Sequence, residues 1–128
     1  MNGTAKEWAA KGEADFSTAA RELKAPESPN FDAVCFHAQQ CVEKLMKALV
    51  IHLGIVPPRI HDLTELDRLL APVCPQWTCP VQELRFLTRA SVDFRYPGES
   101  ADREEATESL DIATRLRARL RALLGLPV

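Results

Sequence analysis

Several things are scarce in this chain of 128 residues. Aromatics make up 6% of it, with a single tyrosine, and no apolar run is long. A helix needs roughly 18 consecutive apolar residues to cross a bilayer, and no stretch comes near that. The start, MNGTAKEWAA, has no apolar signal core behind a basic lead, so a cytoplasmic protein with no membrane association is expected. A dominant charge is also missing. Sixteen Lys and Arg against eighteen Asp and Glu leave a net charge of -2, so no general field draws the chain to nucleic acid, and RNA contact would need a local patch. The four cysteines, at 35, 41, 74 and 79, form no CxxC pair, which argues against a zinc site or a redox motif. Cys35 and Cys41 lie about 120° apart around one predicted helix, which disfavours a bridge. Only Cys74 and Cys79 are left as a disulfide or metal pair, and reduced, packed thiols are the simpler reading. No metal or cofactor is expected. Alternation of period two, internal repeats and low-complexity segments are absent as well, which removes sheet and solenoid architectures.

What is present is ordinary for a folded domain: 46% hydrophobic and 27% charged residues, on a chain long enough to bury one core without disulfides or metal. One domain over residues 1–128 is expected. Thr4 and Glu7 read as a capping box that starts a first helix, whose stripe of Trp8, Gly12, Phe16, Ala19 and Leu23 runs to about Lys24, before Pro26 and Pro29. Asn30 caps a second helix that ends at Gly54, ahead of Pro57 and Pro58. Asp62 and Glu65 open a short third helix, with Leu63, Leu66, Leu69 and Leu70 inward. The proline-rich PVCPQWTCP that follows is irregular, and its Trp77 is placed to plug the end of the core. A fourth helix runs from about Pro80 to about Phe94, burying Val81, Leu84, Leu87 and Ala90 and leaving Arg85 and Arg89 one turn apart on its outer side. The fifth, from about Asp102 to Leu124, buries Ala106, Leu110, Ala113, Leu116, Leu120 and Leu123. Its acids come first and Arg115, Arg117, Arg119 and Arg121 last, which complements the helix dipole and needs no RNA to explain it. The fold class expected is all-α, an up-and-down bundle of about five helices.

The second helix carries the informative polar residues. Phe31, Val34, Ala38, Val42, Leu45, Leu49 and Leu53 share an arc of about 100°, the width of a core-facing stripe. Roughly opposite, His37, Gln40, Lys44 and Lys47 form a row one turn apart. Such a row can hold an anion or can simply face water. His61 stands at the mouth of the third helix, where unpaired N–H groups and the dipole favour an anion, although a packed neutral imidazole fits there too. Pro97 biases Tyr96 toward an extended backbone, so Arg95 and Tyr96 are aimed by local geometry at the break formed by RYPG.

FHAQQCVEKLMKAL at 36–49, HDL at 61–63 and RYPG at 95–98, in that order and behind a Trp-containing first helix, resemble the HEPN domain (higher eukaryotes and prokaryotes nucleotide-binding) over nearly the whole chain. That resemblance implies a bundle of four or five helices and frequently a homodimer. In many bacterial and archaeal cases it also implies a neighbouring minimal nucleotidyltransferase, joined in a complex or a toxin–antitoxin pair. Many family members are metal-independent ribonucleases that place a histidine four to six residues after an arginine. This chain departs from that pattern. The nearest upstream arginine is Arg21 for His37 and His52 and Arg59 for His61, and no histidine follows Arg95.

The leading expectation is a non-catalytic module with no catalytic residues, in which His37, Gln40, Lys44, Lys47, His61, Arg95 and Tyr96 converge on one concavity for a nucleotide phosphate or a nucleotidyltransferase partner. The alternative is a metal-independent ribonuclease that cleaves RNA with Arg95 and either His37 or His61, since chemistry requires only nearness in space.

Overall fold

The structure, a computed structural model, describes residues 1–59, 61–93 and 96–128. Five helices follow one another: α1 (Gly3–Leu23), α2 (Phe31–His52), α3 (Leu63–Leu70), α4 (Val81–Val92) and α5 (Arg103–Leu123). No strand occurs among the described residues, and the chain is the all-α bundle its periodicities call for. α2 packs against all four other helices, which explains its unusually apolar composition. The core is built on Leu45, Met46 and Leu49 of this helix, met by Leu63, Leu66 and Leu70 from α3, Leu84 and Leu87 from α4, and Ile112, Leu116 and Leu120 from α5. Trp77 closes one end of it, as expected of the proline-rich link, and its indole N–H donates to Asp67 Oδ1 at 2.7 Å. At the other end the packing is of small residues, Ala19, Val34, Cys35, Ala90, Ala101 and Ala106.

Caps set the boundaries, with two departures from expectation. α1 begins earlier than the Thr4–Glu7 box implies, because the Asn2 side chain accepts from Ala5 N at 2.8 Å and asparagine is the stronger cap. At α3, Asp62 caps Thr64 as expected, but Glu65 pairs with Arg68 one turn on rather than reaching back to complete a box. The full reciprocal box forms instead at α5, between Asp102 and Glu105. Asn30 caps α2 as read, and Gly54 and Gly125 take the left-handed φ that closes their helices.

The faces also differ from the wheels. On α1 the buried positions are Ala5, Ala9, Gly12, Asp15 and Ala19, while Trp8 and Phe16 are only half-buried at the rim. The reason is a close seam with α2: a Cβ on Gly12 would stand 3.1 Å from both Cys41 O and Leu45 Cγ, so only small residues fit. On α2 the helices on every side bury Gln39, Glu43 and Lys47, whereas Phe31 is half-buried and Leu53 exposed. Expected inward positions Val81, Leu69, Leu110 and Leu123 are likewise half-buried.

Candidate functional site

The polar residues of α2 are sorted by two carboxylates. Asp15, on the buried face of α1, accepts from Lys44 Nζ at 2.6 Å and is met by His37 Nδ1 at 2.7 Å, so it binds two members of the predicted row to the α1–α2 seam. Glu43, on α2 itself and 2% exposed, accepts from Lys47 Nζ at 3.1 Å and Gln39 Nε2 at 3.1 Å, and is met by His61 Nδ1 at 3.0 Å. A carboxylate can only accept, so in each pair the imidazole Nδ1 carries the proton and Nε2 is the free nitrogen. Burial pushes the Glu43 carboxyl up, but the bonds from His61, Gln39 and Lys47 outweigh it and hold the group below the usual carboxylate range. Lys47 is further enclosed by the Trp8 ring, 5.2 Å away.

His61 is the exposed end of this network. Its side chain is 80% exposed although the carboxylate holding it is buried. It lines a cleft of about 290 Å³ between α2 and α4, with Phe36, Gln39 and Gln40 from α2 and Thr88, Ser91 and Val92 from α4. Gln40 Nε2 donates to Gln39 Oε1 at 2.8 Å, which steadies the amide at the cleft wall. Two further concavities continue this groove. One, about 380 Å³, shares Phe36 and Ser91 and includes His37; the other, about 440 Å³, shares Thr88 and Val92 and is flanked by Arg85 and Arg89.

Of the residues singled out from sequence, Gln40 and His61 therefore share one cleft and His37 adjoins it. Lys44 is turned to Asp15, and Lys47 faces the interior with its charge taken by Glu43. Tyr96 is exposed beside Val92, Asp93 and Glu99, in a recess that shares Val92 with the cleft. Arg95, the remaining member, lies outside the described residues. Sequence reasoning missed Asp15, Glu43, Gln39, Thr88 and Ser91. A signal existed for three of them: an acid within an α1 face of small residues, and an amide and an acid four apart on a helix with apolar residues all round.

The arginines in the second half of α5 are engaged within the fold. Arg117 grips Glu13 with two bonds at 2.8 and 2.6 Å, and Arg121 reaches the same carboxylate. Arg115 pairs with Glu83 and Arg119 donates to Thr78 O, so each of the four arginines in the second half of α5 has a partner within the fold. All four cysteines are free thiols, and burial pushes Cys41 and Cys79 up to about 12, which leaves them protonated at neutral pH and poor as nucleophiles. Among the described residues no group of three or more His, Cys, Asp or Glu is placed to share a cation.

A family model described as HEPN domain matches residues 5–123. The chain belongs to the HEPN family. Two solved structures share this HEPN architecture across nearly their full lengths. TT1696 from Thermus thermophilus is 25% identical, with a TM-score of 0.76 over 96% of this chain and 99% of that one. ST0689, described as an archaeal HEPN homologue, is 24% identical, with a TM-score of 0.65 over 98% of each chain, and speaks for the fold alone. No curated protein matches the chain. No helix among the described residues of this HEPN domain is long and apolar enough to cross a membrane.

Proposed function

We propose that this HEPN domain is a non-catalytic binding module whose α2–α4 cleft takes a nucleotide. One observation carries the reading: a buried carboxylate, Glu43, is maintained in the central helix with its partners Gln39 and Lys47, and its outward bond goes to a largely exposed imidazole. Burying an ion pair often adds no stability over apolar packing, so a network that ends on a solvent-facing His61 is better explained by what His61 contacts. In this reading His61 Nε2 and the Gln40 amide hydrogen-bond the ligand, and Phe36, 40% exposed at the cleft edge, offers a ring for a base to stack on. His37 and Tyr96 border the two ends. Family precedent extends the proposal to a cytoplasmic homodimer that works with a minimal nucleotidyltransferase in a toxin–antitoxin type system. Calorimetric titration of nucleotides into the wild type and His61→Ala tests the cleft: binding is expected to be lost in the variant, and a wild type that takes up no nucleotide removes the reading. Light scattering of the purified chain tests the dimer.

A second reading draws on the same pair. A carboxylate that holds Nδ1 of an imidazole and leaves Nε2 free is also the arrangement of a general base, which would make this a metal-independent ribonuclease acting through His61. Cleavage of tRNA in the presence of a chelator, abolished by His61→Ala, would establish it in place of the binding module.

A further inference from the structure

We infer that Arg85 and Arg89 form the phosphate subsite of the cleft, and that the ligand is a nucleoside monophosphate. The inference rests on the nucleotide reading above and supplies what that reading lacks, a source of positive charge. Lys44 and Lys47, the ammoniums of the α2 row, are neutralised by Asp15 and Glu43. Arg85 and Arg89 border the adjoining recess of about 440 Å³, are exposed, and have no carboxylate partner among the described residues. Arg89 stands 5.9 Å from the Phe86 ring, a contact that orients the guanidinium without cancelling its charge. The two residues are four apart on α4, about 6 Å along the axis, so both planar forks can reach one phosphate lying between them.

Two details narrow the ligand. Thr88, on the turn between the arginines, lines both this recess and the His61 cleft, so the two concavities share a wall there. The recess also holds two carboxylates. Asp62 Oδ1 is occupied in capping α3, accepting from Thr64 N and Oγ1, whereas Asp93 is exposed on the same rim. With two carboxylates on the same lining as the two guanidiniums, the recess suits a molecule that carries hydroxyl or amine donors beside its phosphate. The passage past Thr88 and Val92 then lets the base reach Phe36, Gln40 and His61.

The test is calorimetry of the full chain and its Arg85→Ala/Arg89→Ala variant with three probes: AMP, inorganic phosphate and adenosine. The wild type is expected to bind AMP best, and the double variant to bind it at least about tenfold more weakly, a modest loss for two charge-assisted contacts. Arg85→Lys/Arg89→Lys, which keeps the charge but not the forks, should fall between. Both arginines are exposed, so the fold is expected to survive, and circular dichroism checks it. AMP binding of equal strength in the wild type and the alanine variant would overturn the phosphate subsite while leaving the nucleotide cleft standing. Arginine-dependent binding of inorganic phosphate without any preference for AMP would keep the subsite and sink the nucleotide. A wild type indifferent to all three probes would end both.

Discussion

Asp15 and Glu43 each hold a histidine through Nδ1 and a lysine through Nζ, yet the two triads do different work. The Asp15 triad joins two helices: the buried carboxylate belongs to α1, and its partners His37 and Lys44, on α2, are partly open to water at 29% and 23% side-chain exposure. It is a clasp on the α1–α2 seam. The Glu43 triad is built inward, with the carboxylate and Lys47 nearly sealed and a third bond from Gln39, and only its histidine emerges. A carboxylate, an imidazole and an ammonium therefore give a fastening in one place and a supported, outward-facing imidazole in the other. Solvent access and the element supplying the carboxylate decide which.

The sharpest way to break the comparison is to remove each carboxylate in turn. Glu43→Ala leaves Lys47 buried without a counter-charge and should cost about 3–5 kcal/mol in chemical denaturation, the range for breaking a buried pair from one side. Glu43→Leu with Lys47→Leu should recover most of that, since no charge is then stranded. Asp15→Ala should cost less, about 1–2 kcal/mol, because His37 and Lys44 can turn to water when released. Equal losses from Glu43→Ala and Asp15→Ala would dissolve the distinction between the triads.

Acid offers an intermediate effect. Glu43 and Glu13 are both held below the ordinary carboxylate value of 4.5, Glu43 by partners that outweigh its burial and Glu13 chiefly by the Arg117 bond. A depressed folded value means that the stabilisation is present above the unfolded value and is lost as pH falls through the folded one. Stability should therefore be flat near neutrality and decline below about pH 4.5, and Glu43→Gln should make that decline shallower, as followed by thermal melts across pH. An unchanged acid limb in the variant would show that Glu43 does not contribute to it.

The smallest effect on folding sharpens the functional half of the comparison. His61→Ala should change stability by no more than about 0.5 kcal/mol, as for other exposed positions, because Glu43 keeps Lys47 and Gln39. It should nonetheless abolish nucleotide uptake. His37→Ala should do the opposite, loosening the seam while retaining uptake, and denaturation paired with calorimetry separates the two.

Helix number, order and most boundaries were legible because caps, glycines and prolines act within a few residues of where they stand: Asn30, Gly54, Asp62, Asp102 and Gly125 all mark ends that the structure has. Family membership was legible too, from motifs spread along the chain. The site was legible only in part. Period alone places His37, Gln40, Lys44 and Lys47 on one strip, but it does not say how many neighbours surround α2. With four helices packed against it, no face of α2 is wholly free, and a lysine that the wheel assigns to water is enclosed beside Trp8 and Glu43.

Local sequence thus determined the elements, since capping and periodicity are short-range, and it determined which residue types were available for chemistry. Tertiary packing alone decided that Asp15 meets His37 and Lys44, that Glu43 rather than Asp15 supports the exposed histidine, and that Arg85 and Arg89, with no carboxylate partner among the described residues, stand beside the cleft. The pairings of Asp15 with His37 and Lys44 and of Glu43 with His61 depend on distances between residues 18 to 29 positions apart in the chain, and on the burial that makes a lone charge costly, neither of which is written at any single position.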